Sequence, residues 1–154
     1  MRSFFPILKF IVLSLLVGYV SMLVQSDSME NWYPFLQKSA LTPPGYVFSL
    51  VWGVLYILMG VSAGLVSGAQ TSRSPFLILL FFLQLLLNFM WSLCFFYLMM
   101  PLLAFVVLLV LLFVLVAYIA GCYRLKKYIA FINIPYVGWL LFAAYLNVYV
   151  VLNN

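Results

Sequence analysis

Gln84, Asn88, Trp91 and Phe95 recur at i, i+4, i+7 and i+11, the spacing that puts side chains on one face of a helix. Two amides and an indole among leucines and phenylalanines can do hydrogen-bond chemistry in an apolar medium. Either they tie helices together, each such bond being worth about 0.6–2 kcal/mol, or they anchor a ligand in an aromatic pocket. The spacing leaves both readings open. A second set, Phe48, Trp52, Tyr56 and Met59, makes an aromatic stripe. A third, Pro135, Trp139, Ala143 and Leu146, sets a tryptophan one turn after a proline that should kink its helix. Asn133, Tyr136 and Asn147 are the polar members of that stretch, and Asn133 needs a partner the sequence does not name.

Other chemistry is excluded by what is missing. The chain has no histidine, and its only carboxylates are Asp27 and Glu30. General acid–base work usually wants a histidine or a buried carboxylate. Proton- and ion-coupled transporters usually carry a charge inside the membrane. No nucleophilic triad, zinc set or phosphate-binding loop is present, so no metal site is expected. Cys94 and Cys122 read as two small buried hydrophobes.

The elements that position these side chains follow from charge and hydropathy. Of 154 residues, 69% are hydrophobic and 6% charged, against about 45–50% and 25% in soluble domains. Runs of 17, 34, 50 and 27 residues carry no charge. One helical span needs about 20 apolar residues, so the 50-residue run is a hairpin of two spans with its break at Met99-Met100-Pro101. Continuous apolar runs without period-2 alternation predict helices rather than a barrel. We therefore expect one all-α membrane domain over residues 1–154, a five-helix bundle with spans at about Phe4–Val24, Tyr46–Ser67, Pro75–Leu98, Leu102–Cys122 and Tyr128–Leu152. The fourth, nearly pure Leu, Val, Phe and Ala, reads as lipid-facing apart from Ala117 and Gly121.

Arg2 and Lys9 ahead of an apolar stretch also fit a signal peptide, with Val24-Gln25-Ser26 as a poor cleavage site. The stretch is longer than a usual signal core, and a span is the preferred reading. On the first helix Ser14, Gly18, Ser21 and Gln25 share a face, which reads as a packing seam. Gly53, Gly60, Gly64 and Gly68 form a small-residue stripe on the second, for packing within the bundle or in a homodimer. The net charge of +5 is an orientation signal. With five spans, Arg2, Lys9, Arg73, Arg124, Lys126 and Lys127 share one side, and the positive-inside rule makes the N-terminus cytoplasmic and the C-terminus external. No contiguous basic face exists for nucleic acid.

These residues resemble the TspO/MBR family. The resemblance rests on Trp32-Tyr33-xx-Leu36-x-Lys38 with Leu41-Thr42-Pro43-Pro44-Gly45, on Val51-Trp52-xx-Leu55-Tyr56, on Leu87-Asn88-xx-Trp91-Ser92-xx-Phe95-Phe96, and on Ile134-Pro135-Tyr136-xx-Trp139-xx-Phe142-Ala143-x-Tyr145-Leu146-Asn147. It implies a five-helix bundle, often dimeric, whose pocket binds porphyrins such as protoporphyrin, or other apolar small molecules, under a lid formed by the long first loop. No resident cofactor is implied. Carried over, Trp52, Tyr56 and Trp139 would face the tetrapyrrole, Asn88, Trp91 and Phe95 would line the third-helix wall, Ala143 and Leu146 the fifth, and Trp32, Tyr33 and Pro43 would belong to the lid.

There are departures. Ser39 stands where the family usually has proline and Leu41 where it usually has tryptophan, which implies a looser lid. The fourth helix lacks the aspartate many members carry, and no basic residue follows Tyr149, so sterol recognition is less expected than tetrapyrrole binding. The expected function is a membrane receptor or transporter for tetrapyrroles. The alternatives are light- and oxygen-dependent porphyrin breakdown using Trp52 and Trp139, and a structural or regulatory membrane partner that uses the glycine stripe.

Overall fold

The computed structural model describes residues 4–154, so Arg2 of the charge pattern lies outside the described residues. The regular elements are helical throughout: α1 (Phe4–Asn31), a short 3₁₀ turn (Tyr33–Phe35), α2 (Gly45–Ala69), α3 (Ser74–Ser92) continuing as a π-helical turn (Leu93–Tyr97), α4 (Pro101–Leu125), α5 (Lys127–Ile132) and α6 (Ile134–Asn153). Among the described residues five spans are long and apolar enough to cross a membrane, α3 with its π turn forming one and α5 with α6 another.

Helix ends fall where the chain cannot continue. Pro43 and Pro44 precede α2, and Pro75, Pro101 and Pro135 sit in the first turns of α3, α4 and α6, where a missing N–H costs nothing. The hairpin between α3 and α4 breaks at Met99, in the left-handed region at φ 54°. The α2–α3 turn uses Gln70 the same way, at φ 46°. The kink expected at Pro135 is a full interruption at Asn133 that separates α5 from α6.

Three expectations need correction. First, α1 runs seven residues past Val24, which puts Asp27 and Glu30 on its last turns rather than in a loop. Its apolar run gave no boundary, because the serines and Gln25 that follow are all compatible with a helix. Second, α4 is not simply lipid-facing. Ala104, Leu108, Leu111, Leu115, Tyr118 and Cys122 are buried along one face, and α4 packs on α3, α5 and α6. In a membrane an apolar packing face and an apolar lipid face have the same composition. Third, the inward face of α6 is Tyr136, Leu140, Ala143, Asn147 and Val150, which keeps Ala143 of the expected Pro135–Trp139–Ala143–Leu146 face and is otherwise turned slightly from it.

The α1–α2 seam is built on small residues. A Cβ on Gly60 or Gly64 would fall within 3.0 Å of the Phe10–Ile11 or Ile7 backbone, and one on Gly18 would meet the Tyr56 ring. Gly60 and Gly64 therefore serve packing inside this chain. Across α1, Ser14 and Ser21 are buried with their hydroxyls turned to the carbonyls of Phe10 and Val17, each at 2.9 Å.

The seam predicts a contrast. Gly60→Ala should lower stability by about 1–3 kcal/mol through overpacking against backbone that cannot yield. Gly53→Ala, with nothing within 4 Å of the new methyl, should be neutral or stabilising by up to about 1 kcal/mol. Thermal unfolding of both variants in one detergent checks this; equal melting temperatures would contradict it.

Candidate functional site

The third-helix face forms as its spacing predicts, with Asn88, Trp91 and Phe95 all buried. Around Trp91 the aromatic rings make a continuous array. Trp52 stacks on it at 6.0 Å and 28°, and Phe95 stacks at 5.8 Å and 29° on the same ring system. Tyr56 extends the array from Trp52 at 5.7 Å. Trp32, just past the end of α1, meets Phe95 edge-on at 5.7 Å. Such pairs contribute about 0.5–1.5 kcal/mol each beyond area burial.

Two cavities border this array. The larger, about 200 Å³, lies between α1, α2 and α3 and is bounded by Gly18, Gln25, Trp52, Tyr56, Asn88 and Trp91. The smaller, about 30 Å³, lies under the first loop, against Tyr33, Lys38, Phe95, Ala143, Leu146 and Asn147. Phe48 and Trp91 line both and form the partition.

Most amides in the spans are tied across the bundle. Trp91 Nε1 donates to Asn147 Oδ1 at 3.1 Å, and Asn147 Nδ2 donates to the Pro101 carbonyl at 2.8 Å, joining α3, α6 and the start of α4. Asn88 Nδ2 donates to the Tyr136 hydroxyl. Gln25 donates to Ser92, and Ser28 to the Phe96 carbonyl exposed by the π turn. Asn133 finds its partners in Ser62, at 2.9 Å, and the Ile129 carbonyl, at 2.8 Å. Gln84, by contrast, turns back to Leu80 of its own helix and anchors nothing. Three buried polar atoms have no partner among the described residues: Trp52 Nε1, Asn88 Oδ1 and Trp139 Nε1. Each unmatched group costs about 1–3 kcal/mol.

The first loop is fastened down. Lys38 Nζ donates to the carbonyls of Tyr33 (2.8 Å) and Pro34 (3.1 Å) and lies 4.8 Å from the centre of the Tyr33 ring. Burial holds the Tyr33 hydroxyl above its ordinary value of 10.0, so it remains protonated. Ser39 Oγ meets the Tyr145 hydroxyl at 2.9 Å. The Gln37 amide donates to Asn154 Oδ1 at 2.9 Å.

Of the residues singled out from sequence, Trp52, Tyr56, Asn88 and Trp91 meet at the larger cavity, and Tyr33, Trp91, Phe95, Ala143 and Leu146 at the smaller. Trp32 covers Phe95. Pro43 is half-buried in the loop and lines neither cavity, and Trp139 also lines neither. Phe48 stands between the two indoles, 6.3 Å from Trp52 and 5.5 Å from Trp139, so they do not face each other across one space. Sequence reasoning left out Phe48 and the α1 wall. Phe48 stands on the aromatic stripe, which carries no sign of its place between the cavities, and Gln25 with Gly18 stands on the small-residue face, which reads as a packing seam.

The TspO/MBR family model matches residues 10–152. The chain is 32% identical to the tryptophan-rich protein TspO of Archaeoglobus fulgidus over 140 residues, 91% of each chain. It is 34% identical to the human translocator protein over 120 residues, 76% of this chain and 71% of that one. The tryptophan-rich sensory protein of Cereibacter sphaeroides is 30% identical over 118 residues, 77% of this chain and 73% of that one.

The Trp91–Asn147–Pro101 relay is open to a double-mutant cycle. Asn147→Leu should destabilise the protein by about 1–3 kcal/mol, because it strands two buried partners. Combined with Trp91→Phe, the loss should be less than additive by about 0.6–2 kcal/mol. Additive losses in denaturant titration would show that the bond carries no coupling.

Proposed function

Because the chain belongs to the TspO/MBR family, we propose that it is a membrane receptor or transporter that binds porphyrin-type tetrapyrroles and similar apolar ligands between its helices, with a role in tetrapyrrole sensing, transport or regulation. It is an integral, multi-pass membrane protein, with five spans. In the proposed orientation the N-terminus is cytoplasmic and the C-terminus external, since Lys9, Arg73, Arg124, Lys126 and Lys127 gather at one end of the alternating spans.

The observation that carries the reading is the stacked Trp52–Trp91–Phe95 face, which borders both cavities. A flat conjugated ring gains most from stacked aromatic area, with a few polar groups to orient it. The unpartnered Trp52 Nε1 and Asn88 Oδ1 supply a donor and an acceptor beside that face.

The larger cavity, about 200 Å³, falls below the roughly 300–1,000 Å³ of ligand pockets. Adding the smaller cavity, about 30 Å³, still falls short of that range, so a tetrapyrrole needs the two cavities both joined and enlarged. Rotation of Phe48, the half-buried partition, joins them, and the first loop then acts as a lid over the enlarged space. The ligand, not a charge gradient, is the proposed driver, in keeping with spans that hold no interior charge.

Titration with protoporphyrin IX, followed by tryptophan quenching, tests this. Saturable binding is expected. Trp52→Phe should weaken it by about three- to tenfold, the value of one aromatic contact. Trp139→Phe should have a smaller effect, because Trp139 borders neither cavity. Undiminished affinity in the Trp52→Phe, Trp139→Phe double variant would refute the site.

A further inference from the structure

The break between α4 and α5 gathers cations that no other part of the structure uses. Arg124 stands in the last turn of α4, Lys126 is the extended junction residue (φ −155°, ψ 122°), and Lys127 opens α5. All three are exposed, as are Tyr123 and Tyr128 beside them. The two ammonium groups are nonetheless held in place. Lys127 Nζ folds back across the break to lie 5.4 Å from the centre of the Tyr123 ring, and Lys126 Nζ lies 5.9 Å from the centre of the Tyr128 ring. Each pair is a cation–π contact, and the helix break is what lets the two cross.

The cluster is left without a counter-charge. A Cβ on Gly121 would meet the Leu77 side chain, so the start of α3 lies against the end of α4, and the exposed Arg73 ahead of α3 joins the same end of the bundle. The carboxylates are a full span away. α1 has 28 residues, about 42 Å at 1.5 Å per residue, and carries Asp27 and Glu30 on its last turns, where Ser28 bonds the Phe96 carbonyl at the far end of α3. Among the described residues, no side-chain carboxylate shares the end that holds Arg73, Arg124, Lys126 and Lys127. Depth completes the picture. One span ends at Leu125 and the next begins at Lys127, so the cations lie where a bilayer presents its headgroups, and exposed tyrosines are the usual residues of that layer.

We propose that the α4–α5 break is a binding site for the phosphate of an anionic membrane lipid, with Lys126 and Lys127 as the cations that hold it and Arg124 alongside. The chemistry is that of a phosphodiester anion. Lysine meets it as a point charge and arginine as a planar fork. The rings of Tyr123 and Tyr128 brace the ammonium groups and offer apolar faces to the top of the acyl chains. A free phosphate would use the same cations without the tyrosine faces or the bilayer depth. The site is independent of the aromatic cavities and of what they bind.

Native mass spectrometry of the full chain in neutral detergent, titrated with phosphatidylglycerol or phosphatidylcholine, gives Kd for the first bound lipid. Wild type should prefer phosphatidylglycerol by about tenfold or more, and Lys126→Gln, Lys127→Gln should remove that preference. Tyr123→Leu, Tyr128→Leu, which leaves every charge in place, should weaken phosphatidylglycerol binding by about threefold or more, because the ammonium groups lose their braces. Lys9→Gln is the control. Lys9 is exposed at the same end of the bundle but on α1, which packs chiefly on α2, and the variant should keep the wild-type preference. Inorganic phosphate in excess should not displace the lipid. A wild type without preference overturns the site. So does an equal loss in Lys9→Gln, which would reduce it to the summed charge of that end. Displacement by inorganic phosphate would make the occupant a free anion and overturn the lipid assignment.

Discussion

A polar group inside a bilayer has no water to turn to, and the rest of this structure depends on that constraint. It forces the backbone into helices, and it makes every amide in the spans a structural decision. Asn147, Asn133 and Gln25 each reach another helix or its serine. Through Asn147 the central indole, Trp91, is held in one orientation, and the stacking of Trp52 and Phe95 on it follows. The unmatched buried atoms are on Trp52, Asn88 and Trp139. Two of these residues border the larger cavity, and the third packs on Phe48, its partition. The protein is incompletely satisfied where it is also incompletely filled.

The second constraint is steric. With no hydrophobic driving force between helices in lipid, association depends on close approach. Gly60 and Gly64 permit that approach at one end of the α1–α2 seam. The same stripe continues to Gly53, where an added methyl would meet nothing within 4 Å and which lines the larger cavity. Small residues thus do two things on one helix: they close a contact, and farther along they leave cavity space unfilled. A larger residue at Gly53 would be compatible with folding but would take up part of that space.

The five-span plan was legible because charge placement and hydropathy have no other solution in a bilayer, and prolines marked four of the helix starts. The stacked face of Asn88, Trp91 and Phe95 was legible because helical periodicity is rigid over two turns. What was not legible depended on which neighbour an apolar surface meets. The burial of α4 and the length of α1 both turn on the partner rather than on composition. The role of Phe48 turns on a rotation of α2 that no spacing encodes. Gln84 shows the converse error. It shares the face of Asn88, but its amide is spent on its own helix, since a buried glutamine can satisfy itself against the preceding turn.

The distribution of bonds also decides where the molecule can yield. The ties that orient Trp91 and Asn88 lie in the low-dielectric interior, where breaking one strands both partners. Those that fasten the first loop, from Lys38 to the Pro34 carbonyl and from Gln37 to Asn154, are exposed. Water can replace each as it opens, so the net contribution of each is only about 0.5–1.5 kcal/mol. Regions with few buried contacts and solvent-exposed hydrogen bonds open first. A ligand that needs the two cavities joined would therefore leave the Trp91–Asn147–Pro101 relay intact and move Phe48 and the loop around it. The stacked face is then the fixed template, and the boundaries of the cavity are what adapts.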